Sequence, residues 1–209
     1  MTGDDQVTAN EVLPLNGLIA AGGHSERMGR EKGGISYRSR PEVQRLYHQL
    51  TPFCREVYVS IRADQSDQFW CEERPQIHDL FDDLGPVSGL LSAMIHQPNT
   101  PWLFVACDMP FVDRGAVRRL VQGRDASRTA TVYQRSEAHA FEPVFGIYEP
   151  EFLTVIRDAL GSGTRSLHNM LEQEQVRTVP PARPQILTSV DTPFERQRVQ
   201  RYLRGIHHE

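Results

Sequence analysis

Between residues 17 and 34 the chain reads GLIAAGGHSERMGREKGG, an apolar run that turns into a glycine-rich loop carrying Arg27 and Lys32. Glycines let a backbone approach a phosphate closely, and the two cations would neutralise it. The loop is not a Walker A sequence. Gly29 is followed by Arg30, and Lys32 comes later, where that motif needs Gly-Lys and then Ser or Thr. A Gly-x-Gly-x-x-Gly dinucleotide fingerprint is also missing. The alternative to a phosphate site is a plain tight turn; the two cations favour a grip on a nucleoside triphosphate.

Two carboxylates could complete such a site. Asp108 follows the apolar run Trp102–Cys107 and precedes Met109-Pro110. Ligands of open α/β sheets sit beyond the carboxyl ends of the strands, where an aspartate can hold Mg²⁺ against triphosphate oxygens. It could equally cap a turn. Asp79 also ends a strand-like run, and Gly85-Pro86 marks a helix start whose free amides could meet an anion or a base edge. Asp82 and Asp83 read as solvated carboxylates capping that helix.

The elements that must position these residues alternate. Strand patterns at Leu15–Ala21, Glu56–Ile61, Gln76–Asp79 and Trp102–Cys107 are interleaved with helical spacing over Pro41–Phe53, Gly85–His96 and from Asp113 to about Gln122. Asp64–Cys71 suggests a further short helix. Such β-loop-α repetition predicts a mostly parallel sheet with helices on both faces. Later segments read as strands at Thr129–Gln134, Pro143–Tyr148, Val176–Val179 and Gln185–Leu187, and as helices at Pro150–Leu160, Thr164–Glu174 and Pro193–Leu203. Residues 1–13 read as a flexible leader, and 14–209 as one domain, the size of a single core.

A formal net charge of −4 argues against a nucleic-acid partner. No apolar run approaches bilayer length, and the polar, acidic start is unlike a signal peptide. Three widely spaced cysteines form neither a zinc ribbon nor a disulfide framework, which suits a reducing, cytoplasmic setting.

Taken in order, Ala20-Ala-Gly-Gly-x-Ser-x-Arg-Met-Gly29-x-x-Lys32, Asp79, Gly85-Pro-x-x-Gly89 and Ala106-Cys-Asp-Met-Pro110 resemble the molybdenum cofactor guanylyltransferases, the MobA-type nucleotidyltransferase family. The resemblance extends to Pro143–Tyr148 and to Ser189-Val-Asp-Thr-Pro193. It implies a single Rossmann-like, three-layer α/β domain with a mostly parallel mixed sheet, as in nucleotide-diphospho-sugar transferases. It also implies transfer of GMP from GTP to molybdopterin-type molybdenum cofactor, with release of pyrophosphate. On this resemblance Ala20, Ala21, Gly22, Gly23, Lys32, Asp79 and Asp108 hold the nucleotide, Asp108 binds Mg²⁺, and Arg27 and Lys32 stabilise the pyrophosphate. Cofactor-delivering proteins and molybdoenzymes are the implied partners.

The chain departs from the family pattern at three places. Ala20 stands where many relatives have Leu. Ser60 takes the place of an Asn after the second strand, and its shorter hydroxyl is a weaker candidate for a nucleotide contact. Ser189 and Asp191 replace two asparagines near the C-terminus. Asp191 is either an added carboxylate near the metal or the acceptor, or the N-cap of the last helix, with the cap slightly favoured. Acceptor candidates are Arg135, His139 and Arg165, the last beside Gly161-Ser-Gly163, with Thr164 as a cap. Alternatives are transfer of CMP to the cofactor, of a nucleotide to a sugar or polyol phosphate, or a non-catalytic GTP-binding accessory role.

Overall fold

The computed structural model describes residues 14–23, 32–65, 68, 70–71, 73–135 and 140–205. Arg27, His139 and the leader 1–13 lie outside the described residues.

Among the described residues seven strands form one sheet: β1 (Asn16–Ala20), β2 (Val57–Ile61), β3 (Gln76–His78), β4 (Trp102–Ala106), β5 (Ala130–Gln134), β6 (Phe141–Tyr148) and β7 (Arg177–Val179), in the order β3-β2-β1-β4-β6-β5-β7. Strand β6 runs antiparallel to its neighbours β4 and β5, and the other described pairs are parallel. Among the described residues six helices accompany them: α1 (Glu42–Leu50), α2 (Pro86–His96), α3 (Arg114–Gln122), α4 (Phe152–Gly161), α5 (Leu167–Glu172) and α6 (Pro193–Gly205). No described helix is long and apolar enough to cross a membrane.

Side-chain alternation along the central strands sorts the core into two layers. Ile19, Leu103 and Val105 face Leu46 and Leu50 of α1 and Val117 and Leu120 of α3. Leu18, Trp102 and Phe104 face Leu90 and Met94 of α2, Ile156 of α4 and Met170 of α5. Both faces of β1 and β4 are therefore covered, which is why these strands read as continuous apolar runs. A third, smaller cluster seats Val199 and Leu203 of α6 on Ile35, Tyr37 and Val190.

Register decides where the site lies. Ala20 pairs with Ser60 on one side and Ala106 on the other, and Ile61 pairs with His78. The carboxyl ends of β1, β2, β3 and β4 are level, so the residues that follow each strand emerge along one edge. The chain runs outward from β1 to β2 and β3, then returns to β4 on the other side of β1. That reversal makes the ends of β1 and β4 the switch point at which open α/β sheets place their ligands.

Several local expectations are corrected. The segment expected as a strand at Gln185–Leu187 is a 3₁₀ turn, Pro184–Leu187, opened by a proline whose ring presets a helical φ. Of the short helix expected over Asp64–Cys71, the described residues include a 3₁₀ turn at Ala63–Gln65, and residues 66, 67 and 69 lie outside them. Helix α5 starts at Leu167, capped by Ser166 rather than Thr164, with the Ser166 hydroxyl accepting from Asn169 N. Helix α2 has no side-chain cap: Gly85, at φ +55°, precedes Pro86, and Asp82 and Asp83 stay exposed. Asp191 does not cap α6. Thr192 Oγ1 accepts from Glu195 N at 3.2 Å, and Glu195 Oε2 accepts from Thr192 N at 3.0 Å, a capping box in the Thr-x-x-Glu pattern. Asp113 does cap α3, accepting from Ala116 N at 2.8 Å.

Candidate active site

At the ends of β1, β2 and β3 a niche closes around Asp79. The Ser60 hydroxyl donates to Asp79 Oδ1 at 2.5 Å. A Cβ at Gly22 would sit 2.2 Å from Asp79 Oδ2, and one at Gly89 would sit 2.3 Å from Ser60 Oγ. Gly22 cannot carry a side chain while the carboxylate stays in place, nor Gly89 while the Ser60 hydroxyl that binds it does. The two glycine motifs, far apart in the sequence, thus serve one aspartate. Burial pushes the Asp79 carboxyl above its ordinary range, against the Ser60 hydrogen bond and the positive charge of Arg62. Ser60 is buried, so it orients Asp79 and does not present itself to a ligand.

Arg62 was not singled out by sequence reading. It donates through Nη1 to Gly22 O at 2.8 Å and to Gly23 O at 3.2 Å, and its Nε pairs with Asp64 Oδ1 at 3.0 Å. Its backbone N–H donates to Gln65 Oε1 at 2.9 Å, and Gln65 is itself buried under the loop. A cation directly after a buried strand was the available signal.

On the other side of β1, Cys107 N donates to Ala20 O at 3.0 Å, which ties the Asp108 turn to the glycine loop. Val190 N donates to Asp108 O at 3.0 Å, so the chain segment that carries Asp191 lies against the Asp108 turn. Two other carboxylates are felt nearby. Burial pushes the Tyr37 phenol upward, reinforced by the negative charges of Glu42 and Asp108. Burial likewise raises the Glu142 carboxyl, which Arg135 draws back down while Asp108 adds to the rise. Neither glutamate stood out in the sequence, because a Glu inside a helix or strand carries no local mark of burial.

Among the described residues no group of three His, Cys, Asp or Glu side chains is arranged to hold a metal ion. Asp108 supplies hard carboxylate oxygens but no complete cage. That donor set fits a hard cation such as Mg²⁺, which keeps several waters and shares substrate phosphate oxygens.

Lys32 opens a 3₁₀ turn, Lys32–Gly34. Cβ atoms at Gly33 and Gly34 would lie 2.7 and 2.8 Å from the buried Trp70 ring, so the turn rests flat on the indole. The acceptor candidates separate. Arg135 is engaged with Glu142 and with Leu187 O. Arg165 is exposed just before the Ser166 cap and, among the described residues, is not linked to Asp79 or Asp108.

A family model described as the MobA-like NTP transferase domain matches residues 17–179. The chain belongs to this family. Within it, the chain is 30% identical over 161 residues to a molybdenum cofactor guanylyltransferase of Pseudomonas aeruginosa strain PAO1, covering 76% of this chain and 80% of that one. It is 29% identical over 180 residues to a molybdenum cofactor biosynthesis bifunctional protein of Synechocystis, covering 86% of this chain; the match spans 52%, about half, of that longer protein. Among solved structures, the molybdopterin-guanine dinucleotide biosynthesis protein A of Archaeoglobus fulgidus superposes with a TM-score of 0.75 at 20% identity, covering 91% of this chain and 99% of that one. A CMP:2-keto-3-deoxy-manno-octonic acid synthetase complexed with CTP superposes at 0.70 and 16% identity, covering 92% and 99%. These structural likenesses establish the fold: the single α/β domain with a mostly parallel mixed sheet is that of the nucleotide-diphospho-sugar transferases. The matched span, residues 17–179, contains the glycine loop, Asp79 and Asp108.

Proposed function

We propose that the protein transfers GMP from GTP to molybdopterin-type molybdenum cofactor and releases pyrophosphate. The observation that carries this reading is the convergence, on one level sheet edge, of the Gly22–Asp79–Gly89 niche with the Asp108 turn and the adjoining Asp191 segment. The names of the relatives support the choice of acceptor and base.

The niche at Asp79 receives the nucleoside, and Ala20–Gly23 with Lys32 and Arg27 hold the triphosphate. A terminal phosphate oxygen of the acceptor attacks the α-phosphorus in line. One P–O bond forms there as the bond to the bridging oxygen of the β-phosphate breaks, and pyrophosphate leaves with the electron pair. The acceptor is already ionised, so positioning and charge neutralisation make up the catalytic task. Asp108 would hold Mg²⁺, whose charge would offset that of the phosphates. Lys32 and Arg27 balance the charge that builds on the leaving group. The setting is the cytoplasm, with cofactor-delivering proteins and molybdoenzymes as partners, and neither nucleic acid nor membrane is involved.

The decisive experiment is pyrophosphate release with purified molybdenum cofactor and GTP, CTP, ATP or UTP in turn, with and without Mg²⁺. GTP with Mg²⁺ is expected to give turnover, and Asp108→Ala to lower it by about 10²–10³-fold while the fold persists. Turnover with CTP in preference to GTP would replace the base assignment. Near-normal transfer by Asp108→Ala would sink the role given to that carboxylate.

A further inference from the structure

Two buried glutamates each orient an arginine onto a backbone segment next to an active-site aspartate. Glu42, fully buried at the start of α1, accepts from Arg45 Nε at 2.8 Å. Arg45 then donates through Nη2 to Met109 O at 3.0 Å and through Nη1 to Val112 O. Arg38 Nη1 donates to Pro110 O at 3.0 Å. Three of the four carbonyls that follow Asp108 are thereby held. On β6, Glu142 is 1% exposed and accepts from Arg135 Nε at 2.6 Å. Arg135 Nη2 donates to Leu187 O at 3.1 Å, at the end of the turn that leads to Asp191. The two segments meet at the Val190 N to Asp108 O hydrogen bond.

A buried ion pair is weak support for stability, since well-packed apolar groups of the same volume often serve as well. Its advantage is geometry: a planar guanidinium fixed by a carboxylate presents its remaining N–H groups in a rigid fork. Here both forks end on carbonyls of the segments that carry Asp108 and Asp191. We propose that Glu42–Arg45 and Glu142–Arg135 are positioning pairs, the first setting the Asp108 turn for the metal–nucleotide and the second setting the Asp191 segment against the acceptor. This division of labour rests on the nucleotidyltransferase reading above.

Arg45→Met and Arg135→Met test it, because Met keeps the apolar stem and removes the fork. Arg45→Met is expected to raise the Mg²⁺–GTP concentration for half-saturation and to lower kcat by about 10- to 100-fold. Arg135→Met is expected to raise KM for the acceptor while KM for GTP stays within about twofold. In both variants hydrogen exchange at the Val190 amide, measured without acceptor, should quicken by about tenfold or more. Arg→Lys at each position, which lacks the fork, should recover only a minor part, and it carries the same readouts where the Met variant does not fold. A folded variant with wild-type Val190 exchange and both KM values within about twofold overturns the role of its pair. Val190 exchange and Mg²⁺–GTP affinity decide the positioning role even where the wild type transfers no GMP to the cofactor, a result that would instead overturn the acceptor assignment.

Discussion

Placing a methyl group at Gly22 is the sharpest perturbation of the site. An alanine Cβ there would lie 2.2 Å from Asp79 Oδ2 and 3.1 Å from its Cγ, where ordinary contact begins at 3.4 Å. The carboxylate must retreat by about 1 Å, or the end of β1 must shift by as much. Retreat breaks the 2.5 Å Ser60–Asp79 hydrogen bond, and a bond to a charged group contributes about 1.5–3 kcal/mol. Gly22→Ala should therefore destabilise the fold by about 2 kcal/mol and lower Tm by roughly 4–8 °C for a chain of this size. A misplacement of about 1 Å at a substrate-positioning group lowers the rate by about 10²-fold. Calorimetry and the pyrophosphate assay read the two effects separately. A double-mutant cycle with Asp79→Ala isolates their cause, because removing the carboxylate removes the clash, and about 1 kcal/mol or more of coupling is expected. Gly161→Ala is the steric control: a Cβ there meets nothing within 4 Å, so stability should change little. A folded Gly22→Ala protein with wild-type Tm, nucleotide affinity and kcat/KM would refute the close-approach reasoning.

Other outcomes follow from the same geometry. Burial raises Asp79 in the folded state, so this group favours folding below the ordinary carboxyl value of 3.8 and gives up that contribution as pH rises through its folded pKa. Asp79→Asn, which cannot ionise, should gain Tm relative to the wild type as pH rises toward neutrality, lose that advantage in acid, and bind nucleotide poorly throughout; melting curves across pH check the sign. Thr192→Ala removes one arm of the α6 capping box and should destabilise by about 0.5–2 kcal/mol, as urea melts would show, and Asp191→Ala should act on turnover, read by the pyrophosphate assay. Ser60→Ala strips Asp79 of its hydroxyl donor and should move the acid limb of nucleotide binding to higher pH, since that hydrogen bond now lowers the Asp79 pKa.

Much of this was legible in the chain. Apolar runs ending at Ala20 and Ala106, and aspartates one or two positions past strand ends, are local patterns, and local patterns suffice to announce strands and the carboxylates at their ends. The Asp113 cap was readable because its partner lies three residues away. The Asp191 and Thr164 assignments failed for a related reason: several polar residues precede each helix, and which one caps depends on where the preceding chain lets the first turn begin.

Other features rest on distances that no local pattern encodes. That Gly22 and Gly89 both face Asp79 follows from the level register of β1, β2 and β3 and from the return of α2 across them. That Glu42 and Glu142 are buried, and that their arginines reach carbonyls tens of residues away, follows from helix α1 and strand β6 packing beside the Asp108 turn. Composition and spacing select which residues can do chemistry because side-chain type and strand-end position are properties of short segments. Close approach and buried-charge pairing arise only when distant segments are brought into contact, and there the sheet register chose Arg62, Arg45 and Arg135 from among many arginines.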